Sequence, residues 1–276
     1  NIPVVHIQGG EVSGSIDESV RHAITKLAHV HFPSNELAKT RILQMGENEK
    51  YVFNFGCPRI DTVKEILKKE CDFEVINKYI RSYGVGDIFD INGKFLIVSQ
   101  HPVTTEYGEG KEQIKLTIQA VKEISEEYNY PVIFLWPNPD AGSDHIAESI
   151  RIFREYHKAK NFHFFKNLPF RFYIWLMDKT LCLVGNSSSG IREGAFIGTP
   201  VVNIGTRQKD RARGKNVIDV DYDYKQIKNA IKKQIDHGKY EQEVIYGNGN
   251  AGKNIIRVLE DIEVNIQKRF IKRNFI

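Results

Sequence analysis

Residues 181–196, Leu-Cys-Leu-Val-Gly-Asn-Ser-Ser-Ser-Gly-Ile-Arg-Glu-Gly-Ala-Phe, decide the fold. A short apolar run reads as a strand buried on both faces, and the small residues after it read as a loop opening a helix. Such a loop lets backbone N–H groups approach an anion, and the helix N-terminus adds partial positive charge, so the stretch is built as a phosphate cradle. Ser187 and Ser188 add hydroxyl donors, with Ser189 and Gly190 completing the loop. Glu193 falls one turn inside, placed to accept from ribose hydroxyls rather than from phosphates it would repel. The competing reading is a Ser-capped helix with Glu193 closing a capping box. Gly190, three residues before it, has no side-chain oxygen for that reciprocal pair. The loop lacks the Walker Lys-Ser/Thr and is no G-x-G-x-x-G, so neither a P-loop nor a dinucleotide fingerprint applies.

Outward from this stretch, short apolar runs alternate with longer amphipathic ones, the pattern of βαβ units and parallel sheets in an α/β protein. Strands are expected at residues 3–7, 30–33, 51–55, 94–99, 132–136, 161–165, 181–184 and 200–204. Helices are expected at 18–28, 35–45, 59–69, 111–128, 145–158, 170–178, 190–197, 224–237 and 252–270. The polar, glycine-containing segment 82–87 before an apolar strand is the best boundary between two α/β domains, 1–83 and 84–251. The chain has 276 residues, 41% hydrophobic and 27% charged, enough for a full core. Its 39 basic and 35 acidic residues are scattered, so nothing demands nucleic acid. Cys57, Cys71 and Cys182 form no metal spacing or C-x-x-C pair, which fits a reducing compartment. No apolar run approaches the roughly 20 residues of a membrane span. No signal sequence precedes the first strand, so the expected location is the cytoplasm and no membrane partner is implied. No metal or cofactor motif is present in the sequence.

Ligands in open α/β sheets bind at the carboxyl ends of parallel strands, and three further segments are expected there. In Gly205-Thr206-Arg207-Gln208, Arg207 either pairs with a diphosphate or belongs to a solvated basic loop with Lys209, Arg211 and Arg213. In Ser99-Gln100-His101-Pro102, the proline stops the strand, so His101 projects at the sheet edge, as a ligand contact or a structural histidine. Asn167-Leu168-Pro169-Phe170 either clamps a base or makes a plain turn. The first strand ends in His6 and Gln8, turns through Gly9 and Gly10, and presents Glu11 and Asp17. Two carboxylates can serve as acid and base if their environments split their pKa values. Asp17 taken alone reads better as the cap of the following helix. Asp219-Val220-Asp221 is formally a D-x-D triplet, but it ends a strand and precedes a helix, so it reads as capping.

HIQGGEVSGSIDESVRHAITKLAH, QHPVTTE and GNSSSGIREGAFIGTPVVNIGTRQ, in this order along essentially the whole chain, resemble the hydrolysing UDP-N-acetylglucosamine 2-epimerases of sialic acid biosynthesis. The resemblance implies a GT-B fold, with two Rossmann-like domains, a nucleotide sugar in the cleft, and a C-terminal helix within 252–276 returning to the first domain. It also implies a homo-oligomer, a dimer or tetramer, and no cofactor. Family members are longer at the N-terminus, so the expectation is a chain lacking part of the first domain, including a G-D-R stretch with a catalytic Asp. The implied reaction is anti elimination of UDP across C1 and C2 to a 2-acetamidoglucal, then water addition, giving N-acetylmannosamine and UDP. Asp17 matches a family acid/base, and His101, Ser187, Ser188, Glu193 and Arg207 match nucleotide contacts. Gln8 stands where the animal enzyme has a catalytic Glu, so Glu11 or the N-terminal Asp would take that task, or the substrate differs. The alternative substrate is UDP-2,4-diacetamido-2,4,6-trideoxyglucose. The non-hydrolysing epimerases typically read H-V-E-A-G-L-R at the first strand and lack the inserted V-S-G-S-I-D. A GT-B glycosyltransferase would need no carboxylate cluster, and a non-catalytic nucleotide-sugar binder would bind UDP without turnover.

Overall fold

The computed structural model describes residues 2–13, 17–91, 94–156, 159–269 and 271. The first part of the chain runs β1 (Val5–Ile7), α1 (Asp17–Leu27), β2 (Val30–Phe32), α2 (Glu36–Gln44), α3 (Pro58–Leu67) and α4 (Phe73–Ser82). It continues through β3 (Val85–Gly86), β4 (Leu96–Ser99), α5 (Gly110–Tyr128), β5 (Val132–Leu135), α6 (Ser143–Tyr156) and β6 (Phe162–Phe165). Then follow α7 (Phe170–Lys179), β7 (Cys182–Gly185), α8 (Ser188–Ile197), β8 (Val201–Ile204), β9 (Val217–Val220), α9 (Tyr224–His237) and α10 (Ala251–Asp261).

Two sheets result: β1 and β2 pair in parallel, and seven strands form the order β3-β6-β5-β4-β7-β8-β9, parallel throughout except for β3. The chain leaves β4 toward β5 and β6 on one side, and β7 starts the other side, so the topological switch point lies between β4 and β7. Every residue of β4 and β7 is buried, which is why both read as continuous apolar runs. Alternate residues feed two cores. Ile97, Leu183 and Val201 face a cluster with α3, α4, α7 and α8, while Val98, Val184 and Val202 face one with α5, α6 and α9. Each fully buried aliphatic side chain contributes about 1.5–3 kcal/mol, so the strands flanking the switch point are the most firmly held part of the molecule. Ile60, Val63, Ile76 and Ile80 of α3 and α4 pack in the first of these cores.

The structure corrects several sequence expectations. Residues 51–55 form no strand: a 3-10 turn covers Glu49–Tyr51, one bridge joins Val52 to His31, and the Asn54 side chain accepts from Gly56 N–H to turn the chain. Helix α4 is additional, capped by Asp72 accepting from Val75 N–H and burying Ile76 and Ile80. Strand β3 is also additional and lies in the stretch expected as the domain boundary, while β9 is the strand that the Asp219-Val220-Asp221 triplet was expected to end. Asp219 does not cap: it lies in β9, accepts from Asn203 Nδ2 at 2.7 Å and pairs with Arg213, and the cap of α9 is Asp223. The C-terminal helix ends at Asp261 instead of 270, because Ile262 turns extended and packs with Val264 around Phe32. Ile255 and Val258 of α10 join the same cluster, and Lys268 beyond it donates to Thr25 O in the last turn of α1 at 3.1 Å and to Ala28 O just after it. The expected helix ends at 158 and 270 lie outside the described residues.

Candidate functional site

At the switch point the ends of β4 and β7 are stitched by one side chain. Asn186 Oδ1 accepts from His101 N–H at 2.7 Å, its Nδ2 donates to His101 O at 2.9 Å, and its own N–H donates to Ser99 O at 3.1 Å. Gly185, with φ of 134°, permits the approach: a Cβ there would sit 2.1 Å from Ser99 O. Ser187 then caps α8, with its hydroxyl accepting from Ser189 N–H. These elements open into a cavity of about 680 Å³. Seven of the residues expected to bind a ligand line it: His101, Asn167, Phe170, Ser187, Ser188, Ser189 and Glu193.

Gly190 is not a wall of the cavity. Its N–H donates to Ser187 O at 3.2 Å, and a Cβ would meet Val201 at 2.9 Å, so this glycine lets α8 pack on β8. Arg207 stands behind the cavity, with Nη1 donating to Asn186 O at 3.3 Å and Nη2 3.6 Å from Asp140. Burial pulls its pKa down, while the Asp140 and Asp17 carboxylates act against that. Asp17 opens α1, exposed, and acts electrostatically on this guanidinium.

His101 is held neutral: burial, with Arg207 nearby, pushes its pKa down to about 3. Its Nδ1 accepts from Asn138 N–H at 3.0 Å. Glu193 is almost fully buried; Oε1 lies 3.5 Å from Arg192 and 3.8 Å from Arg59, and Oε2 has no hydrogen-bond partner. A buried carboxylate oxygen left open is costly without a donor, and the cavity is where a donor can enter. Arg59 also stacks on the Phe170 ring, 4.1 Å from its centroid.

The first sheet contributes differently. Gln8 adopts a left-handed backbone (φ 65°), and its side chain accepts from Arg192 Nη1 at 3.2 Å and donates to Cys57 Sγ at 3.1 Å. His6 Nδ1 lies 3.2 Å from Thr25 Oγ1, and burial, with His31 and Arg21 adding, lowers its pKa to about 4. Glu11 is buried. Its Oε1 accepts from Ser34 at 2.7 Å and from Asn35, and Oε2 lies 3.2 Å from Arg211 Nε. It does not line the cavity. A more open cleft of about 920 Å³ lies between α2 and residues 205–213. Its arginines are already engaged: Arg211 by Glu11, Arg213 by Asp219, and Arg41 by the carbonyls of Gly10 and Asp210. The switch-point cavity, with its open carboxylate oxygen, is the better ligand site.

Arg59, Tyr79, Trp136, Lys166, Tyr173 and Arg192 also line the cavity and were not singled out from the sequence. Arg192, adjacent to Glu193 in the loop-helix stretch, carried the only local signal. Among the described residues, no cluster of three or more His, Cys, Asp or Glu could hold a metal, and no helix is long and apolar enough to cross a membrane.

Among curated proteins, the chain is 36% identical over 267 residues to the "UDP-N,N'-diacetylbacillosamine 2-epimerase (hydrolyzing)" of Legionella pneumophila, covering 97% of this chain and 67% of the relative. It is 33% identical to the UDP-N-acetylglucosamine 2-epimerase of Neisseria meningitidis serogroup B, covering 98% and 69%. The chain thus spans about two thirds of these relatives. Among solved structures, the fold resembles the N. meningitidis UDP-GlcNAc 2-epimerase bound to UDP-GlcNAc, with a TM-score of 0.75, 19% identity, and coverage of 95% of this chain and 70% of that one. It also resembles the Methanocaldococcus jannaschii enzyme in complex with UDP-GlcNAc and UDP, with a TM-score of 0.72, 20% identity, and coverage of 94% and 69%. The architecture is therefore that of a GT-B protein. With the pattern of the family matching residues 1–260, nearly its whole length, the chain belongs to the UDP-N-acetylglucosamine 2-epimerase family.

Proposed function

We propose that the chain binds a UDP-2-acetamido sugar at the β4/β7 switch point and acts on it as a hydrolysing 2-epimerase. The observation that carries this reading is the open Oε2 of buried Glu193 in a cavity shared with His101, Asn167, Phe170 and the Ser187–Ser189 turn. A ribose hydroxyl satisfies that oxygen, the base lies by Phe170 and Asn167, and the diphosphate meets the start of α8 with Arg207 behind it. Neutral His101 lines the site without adding charge. The reaction eliminates UDP across C1 and C2 to leave a 2-acetamidoglucal, and water addition then yields the 2-epimer of the free sugar.

In this reading Asp17 moves a proton, and neutral His6, facing Thr25, is the second group able to do so. Gln8 cannot exchange a proton; it holds Arg192, while Glu11 is committed to Arg211. Two substrates fit: UDP-N-acetylglucosamine, giving N-acetylmannosamine, and UDP-2,4-diacetamido-2,4,6-trideoxyglucose, which is UDP-N,N'-diacetylbacillosamine. The 36% likeness to an enzyme named for the second supports that sugar. The test is incubation with each sugar in oxygen-18 water, read by NMR and mass spectrometry. Free 2-epimer labelled at C1, together with UDP, is the expected result, with faster release from the preferred sugar. A UDP-sugar product that keeps its nucleotide would overturn the hydrolysing mechanism, and UDP binding with neither sugar consumed would leave a binding protein.

A further inference from the structure

Tyr173 lies in Phe-Arg-Phe-Tyr-Ile-Trp-Leu, a run that reads as helix core, yet its hydroxyl is the middle of a polar chain. The phenol oxygen is 2.6 Å from Ser189 Oγ, which is 2.8 Å from Ser187 Oγ. On the other side the Ser99 hydroxyl acts on the same phenol, and Ser99 Oγ is 3.3 Å from His101 Nε2.

The direction of the protons follows from the phenol, the most acidic hydroxyl of the polar chain and so its strongest donor. Asn138 N–H points at His101 Nδ1, so that nitrogen is bare. A neutral imidazole then carries its proton on Nε2 and donates to Ser99. The phenol donates to Ser189, and Ser189 donates to Ser187 Oγ, which also receives Ser189 N–H at 3.4 Å. Both lone pairs of Ser187 are occupied, and its own proton is left for the cavity it lines. Hydrogen bonds aligned head to tail in a buried setting strengthen one another.

We propose that Tyr173 is a positioning residue that fixes the Ser187 hydroxyl as a donor toward the phosphate groups of the ligand, through a one-way relay by way of Ser189. The proposal rests on the UDP-sugar reading of the cavity. Removing the phenol oxygen lets Ser189 and Ser187 rotate, and the donor toward phosphate is no longer set.

The experiment is calorimetric titration of the parent chain, Tyr173→Phe, Ser187→Ala and the double variant with UDP and with uridine. Tyr173→Phe is expected to bind UDP about tenfold more weakly, the size of one lost hydrogen bond to a charged group, and uridine as the parent does. The double variant is expected to bind UDP no more weakly than Ser187→Ala alone. Ser189→Ala breaks the relay without touching the aromatic ring and should reproduce the UDP loss if Tyr173→Phe folds poorly. Equal losses for UDP and uridine, additive losses in the double variant, or unchanged UDP affinity overturn the relay. A parent that binds neither ligand brings down the UDP-sugar reading and this proposal with it, whereas the other failures leave that reading standing.

Discussion

The ends of β1 and β7 are both followed by a helix, but different forces hold them. All four residues of β7 are buried in a seven-stranded sheet with apolar cores on both faces. Strand β1 has three residues in a two-stranded sheet, and Val5 and Ile7 are exposed. What fixes the β1 turn is polar: Gln8 to Arg192, Glu11 to Arg211, and Arg41 to Gly10 O and Asp210 O. The side proposed to hold the nucleotide is thus set by packing, and the side proposed to meet the sugar is set by hydrogen bonds and an ion pair reaching into the other half. Non-directional packing makes a rigid floor, whereas polar ties fix direction and can be remade as a ligand enters.

The strongest way to break this division is chemical. Asp17→Asn should lower kcat about 10²–10⁴-fold while UDP affinity stays within about twofold, because general acid–base catalysis supplies that range. Glu193→Ala should do chiefly the reverse, weakening UDP about tenfold or more. Steady-state kinetics with calorimetric UDP titration separates them, and equal effects on both quantities in either variant would erase the distinction between the halves.

Next in size is the buried ion pair. Glu11→Ala leaves Arg211 buried without its carboxylate and should cost about 3–5 kcal/mol in urea unfolding, with faster amide exchange concentrated in β1 and β2. A loss under about 1 kcal/mol would mean that the polar ties do not hold this half.

Acid should weaken both halves, each through its own histidine. Unfolded imidazoles titrate near 6.5, whereas burial holds His6 near 4 and His101 near 3. Between these values the unfolded chain binds more protons, so stability is present above about pH 6.5 and is lost as pH falls toward the folded values. The steepest slope is two protons, about 2.7 kcal/mol per pH unit. Burial of Glu47 opposes its ionisation, but His31, Lys268 and Lys26 outweigh this and hold it at about 2, adding a loss in the same direction below about pH 4.5. Urea midpoints at pH 7, 6 and 5 for the parent, His6→Asn and His101→Asn check this. Each variant should flatten the slope by about one proton, and a slope unchanged in His101→Asn would mean that its imidazole is not held neutral.

What was legible in the sequence follows the same division. The stretch 181–196 holds strand, loop and helix start in one piece, so strand β7 and the start of α8 can be read locally. His101 was placed by its proline for the same reason. Tyr173 and Arg59 enter the cavity from helices whose own periodicity shows only a core face, and nothing local marks an aromatic hydroxyl as part of a relay. Glu11 and Asp17 looked alike on paper, as two carboxylates near a glycine turn. Their difference lies in Arg211 and Arg207, roughly two hundred residues further on, and only the fold decides which carboxylate is sealed. The D-x-D triplet misled because three acids alternate across a strand end: Asp219 belongs to the sheet, and Asp223, outside the triplet, makes the cap.

The return of the chain after α10 has a consequence for how the protein is made. Lys268 donates to Ala28 O, a partner 240 positions earlier, and Ile255 with Val258 supplies apolar cover for Val30 and Phe32. A ribosome delivers β1, α1 and β2 long before the segment that covers them. During synthesis β1 and β2 therefore wait for this cover until α10 has been made, after every strand of the seven-stranded sheet.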